Sequence, residues 1–281
     1  MLELARGLSP RALHAIADLE LRTVQADGGR LKLEWAELNN RTSLQVEDVL
    51  YWDDDRLLGF LGLYAFGPPT VEIAAMVDPA TRRRGIATSL LEAALPLCSV
   101  RGYDRALLVT PRASAPGKGF AHSWGAVLEH SEHALVLATA PADSPTDPRI
   151  SVRIATPADA PAISRLLTAA FGGPAPDVLD LSASDSARTL LVEISGLAVG
   201  TLRITREADG GGVYGFAVDP AWQGQGIGRD VLHRCCQQLR NEGAHHVGLE
   251  VAVENEQALG LYTSLGFTQV TTEDYYAIAC T

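Results

Sequence analysis

The sequence predicts an α/β protein with mixed sheets of the α+β kind, built as two tandem units that are each a mostly antiparallel mixed sheet flanked by helices. Two observations support this prediction: a motif repeats at a constant spacing, and both halves show the same order of strands and helices. The length of 281 residues also favours two domains, because a domain commonly has about 150 residues.

The repeat has a constant offset of 141 residues. The segment VDPA at 77–80 returns at 218–221, and Gly85 returns as Gly226. Matches at one offset with no gap are hard to obtain by chance, so we predict an N-terminal domain over 1–140 and a C-terminal domain over 151–281. Residues 141–150 contain three prolines among small polar residues, which is typical of a linker.

Local patterns predict the elements of each half. In the second half, apolar runs predict strands at 151–155, 189–194, 197–204, 213–218 and 247–253, and helical spacing predicts helices over 158–171, 228–239 and 255–265. The segment 209–212, one aspartate and three glycines, predicts a turn. In the first half we expect strands at 49–52, 57–64, 70–77 and 106–110, and a helix from residue 86 that Pro96 interrupts. Hairpin strands that run into strand, helix, strand, helix imply a mixed sheet.

Composition excludes several classes of function. With 23 basic and 34 acidic residues the net charge is -11, and neither half has the basic face that nucleic acid requires. The apolar runs are shorter than the roughly 20 residues of a membrane span, and the N-terminus lacks a signal segment, so we predict a cytoplasmic protein without a membrane partner. The adjacent Cys235 and Cys236, near His233, are predicted as core thiols, and no metal site is predicted.

The most informative segment is Gln223-Gly-Gln-Gly-Ile-Gly228, which lies between a predicted strand and a helix. Glycines at the start of a helix let main-chain N–H groups turn toward one point, which predicts an anion cradle, most simply for a pyrophosphate. The segment 82–87 repeats this shape with three arginines. A nicotinamide-binding loop is a weaker interpretation, because Arg229 replaces its third glycine.

Residues 218–228 resemble the acyl-CoA signature of the GNAT superfamily of N-acetyltransferases. The later segment with Asn255, Ala258, Tyr262 and Gly266-Phe267 resembles the closing strand and helix of that superfamily. The tandem arrangement is similar to that of the mycothiol synthase group, in which one copy catalyses and the other has a supporting role. The resemblance covers the whole second half and, more weakly, the first.

The resemblance implies an acetyl-CoA-dependent N-acetyltransferase that transfers an acyl group to a primary amine of a small molecule or a peptide by direct attack. The active centre would lie in 151–281. The implied cofactor-binding residues are Phe216, Ala217, Val218, Gln223, Gly224, Gln225, Gly226, Ile227, Gly228, Arg229 and Asn255. A second possible site consists of Val77, Arg82, Arg83, Arg84, Gly85, Ile86 and Ala87. The strand before the loop would splay from its neighbour, so that residues 216–218 line the pantetheine and supply an oxyanion donor.

From the sequence pattern alone, Tyr262 could equally be an aromatic residue packed on the terminal helix; the resemblance favours it as the general acid, because a phenol with a pKa of about 10 stays protonated at neutral pH. Asn255 is expected both to cap its helix and to contact the cofactor. The general base stays open, since Gly212 stands where mycothiol synthase-like proteins carry a glutamate. Glu250, His245, His246 or a water chain could replace it. Tyr214 is a possible substrate contact, with core packing the favoured role.

The first half departs further from the superfamily pattern. At the offset of 141, Tyr262 corresponds to Ala121 and Asn255 to Ser114, while Glu72 lies one position from the expected glutamate. We therefore predict that the first domain is non-catalytic, either binding CoA without turnover or serving as scaffold. The alternative function is a non-enzymatic acyl-CoA-binding regulatory or interaction module. Loops 172–186 and 271–281 are expected to form the acceptor site, and the oligomeric state stays open.

Overall fold

The structure is a computed structural model that describes residues 1–41, 44–65, 69–141, 146–172, 181, 184, 186–206 and 210–280. Part of the predicted linker and most of the predicted acceptor loop 172–186 lie outside the described residues. The chain divides into two compact units: unit 1 contains residues 1–132 and 270–281, and unit 2 contains residues 133–269.

Apart from one short helix at residues 35–40, which has no counterpart among the described residues of the second half, the helices and strands follow one another in the same order in both halves. The first half contains β1 (Leu2–Ala5), α1 (Pro10–Asp27), α2 (Trp35–Asn40), β2 (Asp48–Asp53), β3 (Arg56–Tyr64), β4 (Thr70–Val77), α3 (Ile86–Val100), β5 (Arg105–Pro111), α4 (Ala115–Ser123) and β6 (Val127–Leu137). The second half contains β7 (Ile150–Ile154), α5 (Ala160–Phe171), β8 (Ala187–Ile194), β9 (Leu197–Arg206), β10 (Gly210–Val218), α6 (Ile227–Asn241), β11 (His246–Ala252), α7 (Glu256–Ser264) and β12 (Thr268–Ala279).

Unit 1 is a sheet with the strand order β1-β2-β3-β4-β5-β12. The pair β4–β5 is parallel and the other pairs are antiparallel. Helix α1 buries Ile16 and Leu19 against one face, beside Phe60 of β3, and α3 buries Leu90 and Leu91 against the other. Successive side chains of β3 and β4 point to opposite faces of the sheet, and most of them are apolar, so these strands contribute to the core on both faces. This arrangement confirms the predicted mixed sheet flanked by helices.

Unit 2 repeats the plan with the strand order β6-β11-β10-β9-β8-β7. The strands β10 and β11 are parallel, while β7, β8, β9 and β10 form successive antiparallel pairs. Helix α6 packs Val231, Leu232 and Leu239 against one face, and α5 packs Ile163 and Leu166 against the other. Cys235 and Cys236 are 1% exposed, and burial raises the pKa of each thiol to about 12, as expected of core thiols.

The unit boundaries differ from the predicted domains 1–140 and 151–281. Residues 133–137 of β6 belong to unit 2, and β12 from Val270 onward belongs to unit 1. The prediction of a loop over 271–281 is therefore wrong as far as Ala279, because these residues form a strand. Tyr275 in this strand pairs with Val109 of β5 and is fully buried. An apolar alternation in the sequence indicates a strand but not the strand beside it, so the pattern could not reveal this pairing.

Two further local predictions were wrong. The glycines predicted as a turn form the start of β10, because neighbouring side chains pack directly on the strand: a Cβ at Gly210 would lie 2.5 Å from His246 Nε2. Helix α3 continues through Pro96. Proline removes one main-chain hydrogen bond there, but Leu95 and Cys98 on either side of it are buried and hold the apolar face of the last turns against the sheet. Among the described residues, no helix is long and apolar enough to cross a membrane.

Candidate active site

The parallel strands β10 and β11 separate in the middle of unit 2. Their ladder runs from the pair Gly210–His246 to the pair Val213–Leu249, while both strands continue beyond it. In β10 the register against β9 shifts between Tyr214 and Ala217, and Gly215 in this bulge has a φ of +54°, a left-handed conformation that favours glycine. We call the gap between the two strands beyond this ladder the cleft of unit 2, and the main chain of residues 216–218 lies on one side of it.

The glycine loop closes one end of this cleft. Gln223 Nε2 donates to the main-chain oxygen of Val218 at 3.0 Å, which ties the loop to the strand. Gly224 and Gly226 have φ values of +75° and +82°, and apart from the adjacent residues no described part of the chain comes within 4 Å of where a Cβ would lie at either glycine. Helix α6 then begins at Ile227, and no side chain in the described part of the chain caps it. The first N–H groups of α6 therefore point into space that an anion can fill.

The other predicted cofactor-binding residues surround this point. A Cβ at Gly228 would lie 3.3 Å from Leu261 Cδ2 and 3.7 Å from Phe216 Cζ, so the start of α6 approaches both α7 and β10 closely. Gln225 and Arg229 are exposed beside the loop. These contacts explain the third glycine of the motif: it allows three elements to meet, while Gly224 and Gly226 set the direction of the chain.

Tyr262 and Asn255 lie on the helix that follows β11. Asn255 caps α7 by accepting a hydrogen bond from Ala258 N at 3.1 Å, which confirms its predicted capping role. Tyr262 is 7% exposed and packs near Phe267, with 6.1 Å between the ring centroids. Burial alone raises the pKa of Tyr262 to about 12, because the phenolate would lose its hydration. The phenol is therefore protonated across the physiological range and able to donate a proton.

The position of the expected glutamate, Gly212, is covered by an aromatic ring. A Cβ at Gly212 would lie 2.5 Å from Tyr214 Cε2 and 2.8 Å from Thr205 Oγ1. A glutamate side chain does not fit while the ring is in this place. Tyr214 itself is 41% exposed, so the favoured prediction of core packing was wrong: the bulge turns this side chain out of the core.

The three side chains considered as a general base lie at different distances from the cleft. Glu250 is half-buried and is the first residue of β11 beyond the last pair with β10. It lies on the opposite face of β11 from the buried Leu249 and Val251. His246 is at the far end of the ladder, packed on Gly210, and His245 is exposed before the strand. Of these three, Glu250 is the one at the opening of the cleft.

Unit 1 contains a similar cleft with a different loop. The ladder of β4 and β5 ends at the pair Ala74–Val109. Arg82 Nε donates to the main-chain oxygen of Val77 at 3.2 Å, in the place of Gln223 in unit 2. Arg83 adopts a φ of +63° without being a glycine, and Gly85 one of +81°. The helix that follows, α3, likewise begins without a side-chain cap from the described residues.

A cavity of about 470 Å³ lies at this cleft of unit 1. Six residues of the predicted second site line it, namely Val77, Arg82, Arg83, Gly85, Ile86 and Ala87, and Arg84 is exposed. Sequence reasoning missed Asp27, which also lines the cavity and holds Arg82 through two hydrogen bonds of 2.7 and 3.0 Å. Ser114 Oγ donates to the same carboxylate at 3.0 Å. No local signal marks Asp27, because only folding brings the end of α1 to this loop.

The hydrogen-bond register corrects the expected position of Glu72. In the ladders, Glu72 pairs with Tyr64 and Leu107, whereas Gly212 pairs with Thr205 and Gly248. Each partner in unit 2 stands 141 residues after its counterpart, but Gly212 stands 140 after Glu72, because the bulge adds one residue to β10. Glu72 therefore holds in unit 1 the same place that Gly212 holds in unit 2, and not a neighbouring one.

Comparison with known proteins agrees with this description. The sequence model of the Acetyltransferase (GNAT) family matches residues 12–125 and 161–267. The chain is 30% identical to a mycothiol acetyltransferase of Thermobispora bispora, over 95% of this chain and 96% of that protein. A mycothiol acetyltransferase of Sanguibacter keddieii is 28% identical over 78% of each chain.

Two solved structures show the same fold along the whole chain. The GCN5-related N-acetyltransferase from Sphaerobacter thermophilus has a TM-score of 0.81 at 20% identity, covering 100% of this chain and 95% of that one. A tandem GNAT protein from the clavulanic acid biosynthesis pathway has a TM-score of 0.72 at 17% identity, covering 100% and 99%. The family matches in both halves, together with a relative aligned along nearly the whole sequence, show that this chain belongs to the GNAT family and is an N-acetyltransferase, in a family whose acyl donor is acetyl-CoA.

Proposed function

We propose that this protein transfers an acetyl group from acetyl-CoA to a primary amine by direct attack, with the active centre in unit 2. The observation that carries the proposal is the cleft between β10 and β11, which opens beside the uncapped start of α6. Family membership sets aside the non-enzymatic alternative. The cytoplasmic location predicted from the sequence stays a prediction.

The residues of the loop fit the donor by charge and shape. The N–H groups at the start of α6 and the loop 223–229 would hold the pyrophosphate, because the space at Gly224 and Gly226 is open and the helix dipole favours an anion. The main chain of residues 216–218 would line the pantetheine and donate to the thioester oxygen. One such donor contributes about 3 kcal/mol to the transition state. When bound, acetyl-CoA supplies the activated acyl group.

Tyr262 is the proposed general acid, and Glu250 the proposed general base. The buried phenol keeps its proton at neutral pH and can give it to the leaving sulfur. Glu250 stands at the opening of the cleft, where a carboxylate can take a proton from the ammonium of the acceptor, directly or through one water molecule, so that the neutral amine attacks. Asn255 would contact the donor from the start of α7 in addition to capping the helix.

We propose that unit 1 also binds acetyl-CoA but does not turn over external amines. Its cavity has a volume within the usual range of small-molecule sites, and its loop carries cationic side chains suited to a pyrophosphate. Ala121, which stands at the position of Tyr262, provides no acid.

The acceptor is proposed to be the primary amine of a small molecule. The relatives named mycothiol acetyltransferase make mycothiol-related amines the first to test. The ring of Tyr214 over Gly212 gives this chain a different acceptor wall from one that carries a glutamate there, so we expect a related but distinct acceptor.

The test is a thiol-release assay with acetyl-CoA against a panel of primary amines. We expect turnover that Tyr262→Phe reduces by about 100-fold or more in kcat, with little change in acetyl-CoA binding. Thiol release that no amine accelerates, or equal activity of the variant, would contradict the assignment of the centre to unit 2.

A further inference from the structure

A primary amine and a carboxylate face each other inside unit 1. Lys32 Nζ lies 3.3 Å from Glu72 Oε2 and donates to Tyr275 Oη at 2.7 Å. Tyr275 Oη in turn donates to Glu132 Oε2 at 2.7 Å, which is 4.0 Å from Lys32 Nζ. The side chain of Lys32 is 10% exposed. The amine is therefore fixed in a protected place by groups that recognise an ammonium.

This amine lies next to the cavity of unit 1. Leu31, which precedes Lys32, lines the cavity, and so does Val109, the cross-strand partner of Tyr275. Such partners have Cβ atoms about 5 Å apart. Glu72 comes two residues before Ala74, where the ladder of β4 and β5 ends and the cleft opens. Lys32 and Glu72 do not line the cavity themselves, but Glu72 lies in the paired part of β4 and β5 just before the cleft opens, and Lys32 contacts it there.

Glu72 also occupies the strand position that corresponds to Gly212, so unit 1 retains a carboxylate that unit 2 lacks. A cavity suited to a thioester, a primary amine and a carboxylate in contact with that amine are the components of an acyl transfer. We propose that Lys32 is an internal acyl acceptor, a modification site to which unit 1 transfers one acetyl group from acetyl-CoA. The inference rests on the proposed binding of acetyl-CoA in this cavity.

The step balances without any further reactant. Glu72 accepts one proton from the Lys32 ammonium and passes it to solvent, and the neutral Nζ attacks the thioester carbon. The carbon–nitrogen bond forms, the carbon–sulfur bond breaks, and the second proton lost by nitrogen neutralises the departing thiolate. The products are an amide at Lys32, free CoA and one proton. Because the acceptor stays attached to the chain, unit 1 performs this step once.

Acetylation of lysine can be assigned without ambiguity, because Lys32 and Lys118 are the only lysines of the chain. The full chain is incubated with acetyl-CoA, digested and analysed by mass spectrometry, with Lys118 as the internal control for unassisted acetylation. We expect one acetyl group on Lys32, added at least about 100-fold faster than on Lys118, and about 100-fold slower in Glu72→Gln. Labelling should persist in Tyr262→Phe, because the acid of unit 2 takes no part.

Binding is measured separately, by calorimetry with CoA on the wild type, Arg83→Glu and Lys32→Arg. Loss of one of two bound CoA molecules in Arg83→Glu supports the cavity as a binding site. CoA bound in the cavity with Lys32 unlabelled overturns the internal acceptor and leaves the proposed function intact. Labelling of Lys32 that equals that of Lys118, or that is unchanged in Glu72→Gln, also overturns it. If Arg83→Glu binds as much CoA as the wild type, both the second binding site and the internal acceptor are wrong.

Discussion

The substitution Tyr262→Phe separates the proposed acid from a packing residue. The ring stays in place, so the apolar contacts in the core of unit 2 are kept, and only the hydroxyl is removed. Because burial alone raises the pKa of Tyr262, we expect the free energy of unfolding at neutral pH to change by no more than about 1 kcal/mol. Turnover should fall by about 100- to 10,000-fold, the range for a general acid.

The loss of folding stability at alkaline pH gives a second expected magnitude for Tyr262. The pKa of Tyr262 is about 12 in the folded protein and about 10 when unfolded, so the folded state holds this proton more tightly. The stability that this difference contributes is complete below pH 10 and is lost as the pH rises to 12. At about 1.4 kcal/mol per pKa unit, the loss is about 3 kcal/mol, and about half of it has occurred at pH 11.

Urea unfolding of the wild type and Tyr262→Phe at pH 8 and pH 11 measures this difference. Between pH 8 and pH 11, the wild type should lose about 1.4 kcal/mol more of its free energy of unfolding than the variant does. Tyr103→Phe, a substitution in unit 1, is the control and should keep the wild-type kcat. If Tyr262→Phe retained kcat within about threefold, or lost activity only in proportion to its folded fraction, the acid assignment would be refuted.

Three other substitutions test the site in unit 2. Glu250→Gln should lower kcat by about 100-fold or more, whereas His246→Gln should not; equal effects would contradict the choice of base. Gly226→Ala should lower the free energy of unfolding by about 1 kcal/mol, because of its φ of +82°, and should also raise the KM for acetyl-CoA. Gly243→Ala, with a φ of +101° at the far end of α6, is the control and should show only the loss of stability. Asn255→Ala should cost about 1 kcal/mol through the lost cap, measured by thermal unfolding, and an unchanged KM would remove its proposed contact with the donor.

Much of the fold followed from local patterns, because those patterns report burial and chain direction. The repeat at 141 residues indicated two units, and the strand and helix centres in the second half agree with β7–β11 and α5–α7 to within a few residues. The errors have one kind of cause. The glycines 210–212 look like a turn until the packing of His246 is known, and residues 271–279 look like a tail until β5 is beside them.

The candidate site was predictable where chemistry requires a particular backbone. Glycine adopts a positive φ without strain, and the structure gives Gly224 and Gly226 such values with open space around them. Asp27, Lys32 and Tyr275 were not predictable, since they come from distant parts of the chain and carry no motif. The place of Glu72 was also hidden, because counting residues cannot show a bulge that adds one residue to one of two related strands.

The sequence by itself determined the repeat, the mixed sheets and the glycine loop before α6, because the periodicity of apolar residues and the freedom of glycine are local properties. Only the tertiary structure decided that the last strand completes unit 1, that Tyr214 covers Gly212, and that an amine stands against the carboxylate of Glu72. These facts depend on which main-chain groups pair across the sheet, and that choice is made by the packing of the whole unit rather than by any short segment of it.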